Sequence, residues 1–278
     1  MNLVLCYHHV SPTRTLFSTS PQVFARHLEV LREAGYAMLS HDEFVEHARS
    51  RFASRARTAL VTFDDGHADT WFHARAVLDS LSVPAVMFAI TSVVADGPVR
   101  SAAEEPVIGD TPQAEEALIP IRWAELLAWQ AGGRLSVQTH THRHREMRGF
   151  AGTPAEQEAL IGQDLDEACA VLREKIGYSP TSVAWPWGYG TAAMRRAASA
   201  RGLHLQFSVT PGFNGAWSSN ARLHRVCVDG ASVEEVSGWA TRFRHGSLAA
   251  SYSTARRLYN ALKFRMPLSP PPPTDLAR

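Results

Sequence analysis

Along the chain, short apolar runs rich in β-formers alternate with longer stretches whose apolar residues return every three or four positions. That is the signature of strands joined by crossover helices. Leu3 to Tyr7 predicts a first strand, and the spacing of Phe24, Leu28 and Leu31 predicts a helix over 21–34 that Gly35 stops. A short strand over 36–39 follows, then a helix opened by Ser40 or His41-Asp42 and running to Ala48. Ala59 to Phe63 reads as a strand ending at Asp64-Asp65-Gly66, and a helix over 70–81 leads from it to a strand over 85–90. Residues 95–119 hold Pro, Gly and acidic clusters without a period and predict a surface excursion. Beyond it come a helix over 123–131, a strand over 134–138 ending at Thr139-His140, and a long helix over 155–176 closed by Gly177. A strand over 182–185, a helix over 192–201 and two strands over 205–209 and 223–228 complete the alternation.

The pattern predicts one α/β domain over 1–230, with about seven strands wrapped by helices. Residues 231–278 are expected to form a helical extension and a Pro-rich, polyproline-like tail. Hydrophobic residues at 45% and charged residues at 20% suit a globular protein with a large core. A formal charge of +1, from 28 basic and 27 acidic residues, gives no global field to attract a polyanion, so no nucleic-acid partner is expected. Cys6, Cys169 and Cys227 lack the paired spacing of a zinc knuckle and read as reduced core residues. No basic leader and no apolar run near the ~20 residues of a membrane span occur, so a cytoplasmic protein without a transmembrane segment is expected. Oligomeric state is left open.

In parallel α/β folds the polar residues just after each strand gather at one mouth. Four strand ends qualify: Tyr7-His8-His9, Asp64-Asp65-Gly66-His67, His140-Thr141-His142-Arg143-His144 and Trp185-Pro186-Trp187-Gly188. Taken alone, Asp-Asp-Gly is a turn sequence, because Asp bonds its own backbone and Gly accepts positive φ. A His-x-x-x-His pair sets two imidazoles on one face of a helical turn, as a metal requires, although such a basic stretch also suits a solvated loop. Together, one carboxylate and two histidines make a ligand set that leaves positions open for water and substrate. A second, adjacent carboxylate can then stay free to take a proton.

These residues reach a known family. Thr62-Phe-Asp-Asp-Gly66 resembles the first motif of the polysaccharide deacetylases of carbohydrate esterase family 4, the NodB-homology domain, and His140-Thr141-x-x-His144 resembles their second. Pro84 to Phe88, Trp123 and Gly133 resemble the motif surroundings, and Trp185-Pro-Trp-Gly188 resembles the third motif. The resemblance spans 1–230 and implies a distorted (β/α)7-type barrel. It implies Asp64 as general base, and Asp65, His140 and His144 as ligands of one divalent cation, Zn²⁺ first, with Co²⁺, Ni²⁺ and Fe²⁺ also suited to the donors. The N–H of Trp187, after Pro186, is implied as an oxyanion donor.

No clear Leu-x-His stands near the domain's end, where most members carry the general acid. Leu5-Cys-Tyr-His8-His-Val10 instead resembles the permuted branch that deacetylates poly-N-acetylglucosamine, which implies His8 as the acid, with His9 on the opposite side of its strand. Ala184 stands where the third motif ordinarily has an Arg, and Arg225 is the candidate replacement. His67 and Trp187, with His142 behind them, are candidates to line a sugar groove. The expected activity is metal-dependent removal of N-acetyl groups from an N-acetylhexosamine-containing saccharide, an exopolysaccharide or a glycan precursor. A C–N hydrolase opening a cyclic ureide or imide, and an inactive carbohydrate-binding module, are the competing expectations.

Overall fold

The computed structural model describes residues 1–13, 17–53, 56–106, 119–242 and 248–255; residues 107–118 of the predicted excursion and the whole Pro-rich tail lie outside the described residues. The strands are β1 (Asn2–Tyr7), β2 (His9–Val10), β3 (Ser18–Thr19), β4 (Ala37–Met38), β5 (Thr58–Phe63), β6 (Ala85–Ala89), β7 (Leu135–Thr139), β8 (Ser182–Ala184), β9 (Leu205–Phe207) and β10 (Val226–Cys227). The helices are α1 (Pro21–Glu33), α2 (His41–Arg49), α3 (Arg75–Leu81), α4 (Trp123–Ala131), α5 (Pro154–Ile176), α6 (Ala192–Ala200) and α7 (Val233–Arg242).

Local sequence explains most boundaries. Ser20, Ser40, Thr153 and Thr191 each accept a hydrogen bond from a backbone N–H of the first turn, and Glu43 and Glu156 complete capping boxes on α2 and α5. Gly177, at φ 83°, ends α5 in the left-handed conformation. The helix expected over 70–81 is instead a π-helical turn, Thr70–Ala74, running into α3. The small pair of β2 with β3 had no sequence signal.

The main sheet is parallel and runs β10-β1-β5-β6-β7-β8-β9, with β4 sharing the β5 edge ahead of β6. A single parallel bridge, Phe207 to Leu223, joins the β9 end to the segment leading into β10. The result is a distorted (β/α) barrel. Strand β1 sits between β10 and β5, so the first and last strands are neighbours. Alternation along each strand divides the core in two. Leu3, Leu5, Tyr7, Val61, Phe63, Met87 and Val137 face outward to Phe24, Leu28, Leu78, Leu126 and Trp129 of the helices. Val4, Leu60, Val86, Phe88, Ala184 and Phe207 fill the interior with Phe44 and Ala48 of α2. The inward column continues past the strand ends into polar residues, and there the candidate site begins.

Helix α7 packs beside α1, and its Val236 and Ala240 join the outer core. Among the described residues, no helix is long and apolar enough to cross a membrane. All three cysteines are free, but only Cys6 is buried; Cys169 is half-buried and Cys227 exposed, so the expectation of three core thiols holds for one. Cys227 is the in-register neighbour of Cys6.

Candidate active site and metal centre

Strand β5 delivers the two carboxylates. Asp64 continues the inward column, its N–H donating to the Tyr7 carbonyl at 2.9 Å, whereas Asp65 turns at φ 69° and Gly66 at φ 92°. The position of Gly66 favours glycine because no Cβ resists the left-handed backbone. This reversal points adjacent carboxylates in different directions.

Asp64 is fully buried, and Arg225 meets it with two hydrogen bonds, Nη1 to Oδ1 at 2.6 Å and Nη2 to Oδ2 at 2.7 Å. The guanidinium also donates from Nε to the Ser208 carbonyl at 3.1 Å and from Nη1 to Thr62 Oγ1 at 3.3 Å. Burial disfavours the Asp64 charge, but the charges of Arg225, His140 and His8 outweigh it and hold the carboxyl at about 2. The two-pronged geometry suits arginine's planar fork. Arg225 thus occupies the space beside Asp64, from the residue just before β10 rather than from the third motif, while the Ala184 carbonyl accepts from His140 Nδ1 at 2.8 Å.

That bond directs His140 Nε2 toward Asp65, whose Oδ1 lies 3.4 Å from it and 3.6 Å from His144 Nε2. The three ligand atoms lie within 4.8 Å of one another. His140 and His144 do not share a helical turn, as the spacing suggested. They lie on a loop that reverses through left-handed residues, Thr141 at φ 70° and His144 at φ 48°. Buried Asp164 of α5 holds the loop by accepting from the His142 N–H at 2.7 Å and the Arg143 N–H at 3.2 Å. Burial lowers the His144 pKa to about 4, with the charge of His140 adding to it. Both effects favour the neutral imidazole that a metal ligand must be.

A cation fits this set. Asp65 Oδ1 is buried without a hydrogen-bond partner, an arrangement that costs roughly 1–3 kcal/mol when nothing compensates it. Burial opposes the Asp65 charge, yet the His67 hydrogen bond and the charges of His140, His67 and His8 hold its carboxyl well below the usual range. One carboxylate and two imidazoles with open positions is the donor set of a catalytic metal site.

His8 Nδ1 lies 2.7 Å from Asp229 Oδ2, and the His8 N–H donates to Asp229 Oδ1 at 2.9 Å. Burial works against a charged His8, but the Asp229 hydrogen bond and charge, with Asp65 and Asp64 beyond, push its pKa up to about 10. His9 diverges from it, as strand alternation requires, and bonds Asp69 Oδ2 at 2.6 Å.

His67 is not on the groove surface. It is buried, stacked on His9 with ring centroids 3.6 Å apart, and its Nε2 stands 3.4 Å from Asp65 Oδ2. His142 turns away to Thr91 Oγ1 at 2.8 Å and Glu167. Trp187, 43% exposed, lies over His144 at 4.4 Å between centroids, in a turn where its own φ is 52° and Pro186 is buried. Among the described residues its N–H makes no backbone hydrogen bond. Gly188 fits because a Cβ there would stand 2.4 Å from the Val209 nitrogen. Exposed Phe17 lies 5.9 Å from the His8 ring on the other flank.

Sequence reasoning missed Asp229, Asp164 and Phe17. The Val228-Asp229-Gly230 end repeats the strand-then-acid pattern of Phe63-Asp64, so the rule that found Asp64 also points to Asp229. Asp164 sits mid-helix and has no such signal.

Comparisons with known proteins bear on the fold and the family. YxkH of Bacillus subtilis (strain 168), whose name places it among the polysaccharide deacetylases, is 24% identical over 225 residues, covering 81% of this chain and 70% of its own. The solved structure of IcaB from Ammonifex degensii superposes with a TM-score of 0.72 at 26% identity, over 86% of this chain and 96% of that one. A de-N-acetylase from Aggregatibacter actinomycetemcomitans shares the fold, with a TM-score of 0.66 and 18% identity over 84% and 99% of the two chains. The polysaccharide deacetylase profile matches residues 53–205, a stretch that holds Asp64, Asp65, His140 and His144. Because that match takes in more than half of the 278 residues, the chain belongs to the polysaccharide deacetylase family.

Proposed function

We propose that the protein is a metal-dependent N-deacetylase acting on a saccharide that contains N-acetylhexosamine. The observation that carries this reading is the division between adjacent carboxylates: Asp64 is clamped by Arg225, while Asp65 Oδ1 is unpartnered and faces two imidazoles. Asp65, His140 and His144 would hold the cation. When bound, it supplies Lewis acidity toward the acetamide carbonyl and the attacking water.

Asp64 accepts the proton that water loses as it attacks the carbonyl carbon. Arg225 keeps that carboxylate ionised and aimed, and His140 Nε2, 3.9 Å from Asp64 Oδ2, brings the base alongside the ligand set. The Trp187 N–H, on the turn whose ring lies over His144, is the donor for the oxyanion that develops. His8, kept protonated by Asp229, gives a proton to the amine nitrogen as the C–N bond breaks, so acetate and a free amine leave. Trp187 and Phe17 flank the mouth as exposed rings on which sugar faces can stack.

Asp64→Asn is expected to abolish acetate release from a small panel of N-acetylated oligosaccharides while metal content stays near one per chain. Asp65→Asn is expected to lose both. Full activity in Asp64→Asn would remove the base assignment, and normal metal content in Asp65→Asn would remove the ligand assignment.

A further inference from the structure

We propose that Cys6, His8 and Asp64 form a second cation site, specific for thiophilic ions such as excess Zn²⁺ or Cd²⁺, whose occupation shuts the enzyme off. The three ligand atoms lie within 4.8 Å of one another and share no residue with Asp65, His140 and His144. Two-residue alternation produces the cluster: Cys6 and His8 both point inward, and Asp64 follows the adjacent strand. Cys6 Sγ donates to Asp64 Oδ2 at 3.5 Å. In-register Cys227 brings a second thiol beside Cys6 from the far side.

Thiolate, imidazole and carboxylate together select Zn²⁺ or Cd²⁺ over Mg²⁺, Ca²⁺ or Mn²⁺, which prefer all-oxygen shells. Binding replaces the thiol proton of Cys6 and the imidazolium proton of His8, so one ion enters as two protons leave. Arg225, already paired to Asp64, balances the carboxylate while the dication meets the thiolate. An ion held there leaves neither His8 nor Asp64 able to move a proton, a consequence that rests on the roles assigned to them above.

The test titrates zinc-loaded protein with Cd²⁺ and follows the ultraviolet thiolate-to-cadmium charge-transfer band together with acetate release. The Asp65 site has no sulfur and gives no such band. The comparison protein is Cys169→Ser/Cys227→Ser, whose sole thiol is Cys6, because the sequence has three cysteines. The expected result is a band saturating at one Cd²⁺ per chain in both proteins, with activity falling in step. His8→Gln is expected to weaken binding by more than the roughly 10–100-fold of an outer-shell change. No band in either protein, or a band that the double variant lacks, overturns the site. A full band with undiminished acetate release overturns the inhibition. A band in protein that never releases acetate leaves the site standing and refutes the proposed function instead.

Discussion

Asp229→Asn isolates the electrostatics of the proposed acid. The substitution keeps the shape of the His8 partner, and its amide oxygen can still accept a hydrogen bond, but the charge that sustains the imidazolium is gone. The difference between the ordinary 6.5 and about 10 corresponds to on the order of 5 kcal/mol of preference for the protonated ring. Because Asp229 supplies the leading favourable contributions against burial, most of that preference disappears with its charge. The assay is the pH profile of kcat/KM for acetate release, which reports the acid in free enzyme. Wild type should hold its alkaline limb near pH 10; the variant's limb should fall to neutral pH or below. At pH 8 this amounts to a loss of about tenfold or more for each pH unit by which the limb lies below 8. Stability moves with the same group. A raised folded-state pKa stabilises fully below 6.5, and that contribution fades as pH climbs toward about 10, so the variant should lose most stability at acid and neutral pH and least at high pH. An alkaline limb unmoved by Asp229→Asn would refute the assignment of His8 as the acid.

Arg225→Met leaves the buried Asp64 charge uncompensated and should cost about 3–5 kcal/mol in denaturant unfolding. Arg225→Lys should retain part of that stability yet lose kcat through the broken two-pronged clamp, and equal kcat would argue against an aiming role. Asp164→Ala removes the acceptor for two loop N–H groups and should weaken metal retention in equilibrium dialysis by about 10–100-fold, with unchanged affinity the contrary result. Gly188→Ala places a Cβ 2.4 Å from the Val209 nitrogen at a left-handed position. It should lower the thermal midpoint by an amount corresponding to at least about 1–3 kcal/mol, and a wild-type midpoint would contradict the packing.

What the sequence determined by itself was local. Apolar periodicity marked the alternation of strands and helices, Ser and Thr caps with Pro and Gly marked most helix limits, and polar residues at strand ends marked Asp64, Asp65, His8 and His140 as neighbours at one mouth. Short-range rules suffice there because side-chain alternation and helix capping act over a few residues. Tertiary structure decided the rest. Arg225 and Asp229 meet Asp64 and His8 only because β10 pairs with β1, a pairing across more than two hundred residues that no local pattern encodes. His144 reaches His140 through left-handed turns braced by Asp164, so the pair's helical spacing was the wrong reason for a real proximity. His67, with the look of a groove residue, is packed against His9 beneath Asp65. Register and loop reversal depend on the whole sheet closing, and the energy that selects them is spread over contacts between residues far apart in the chain.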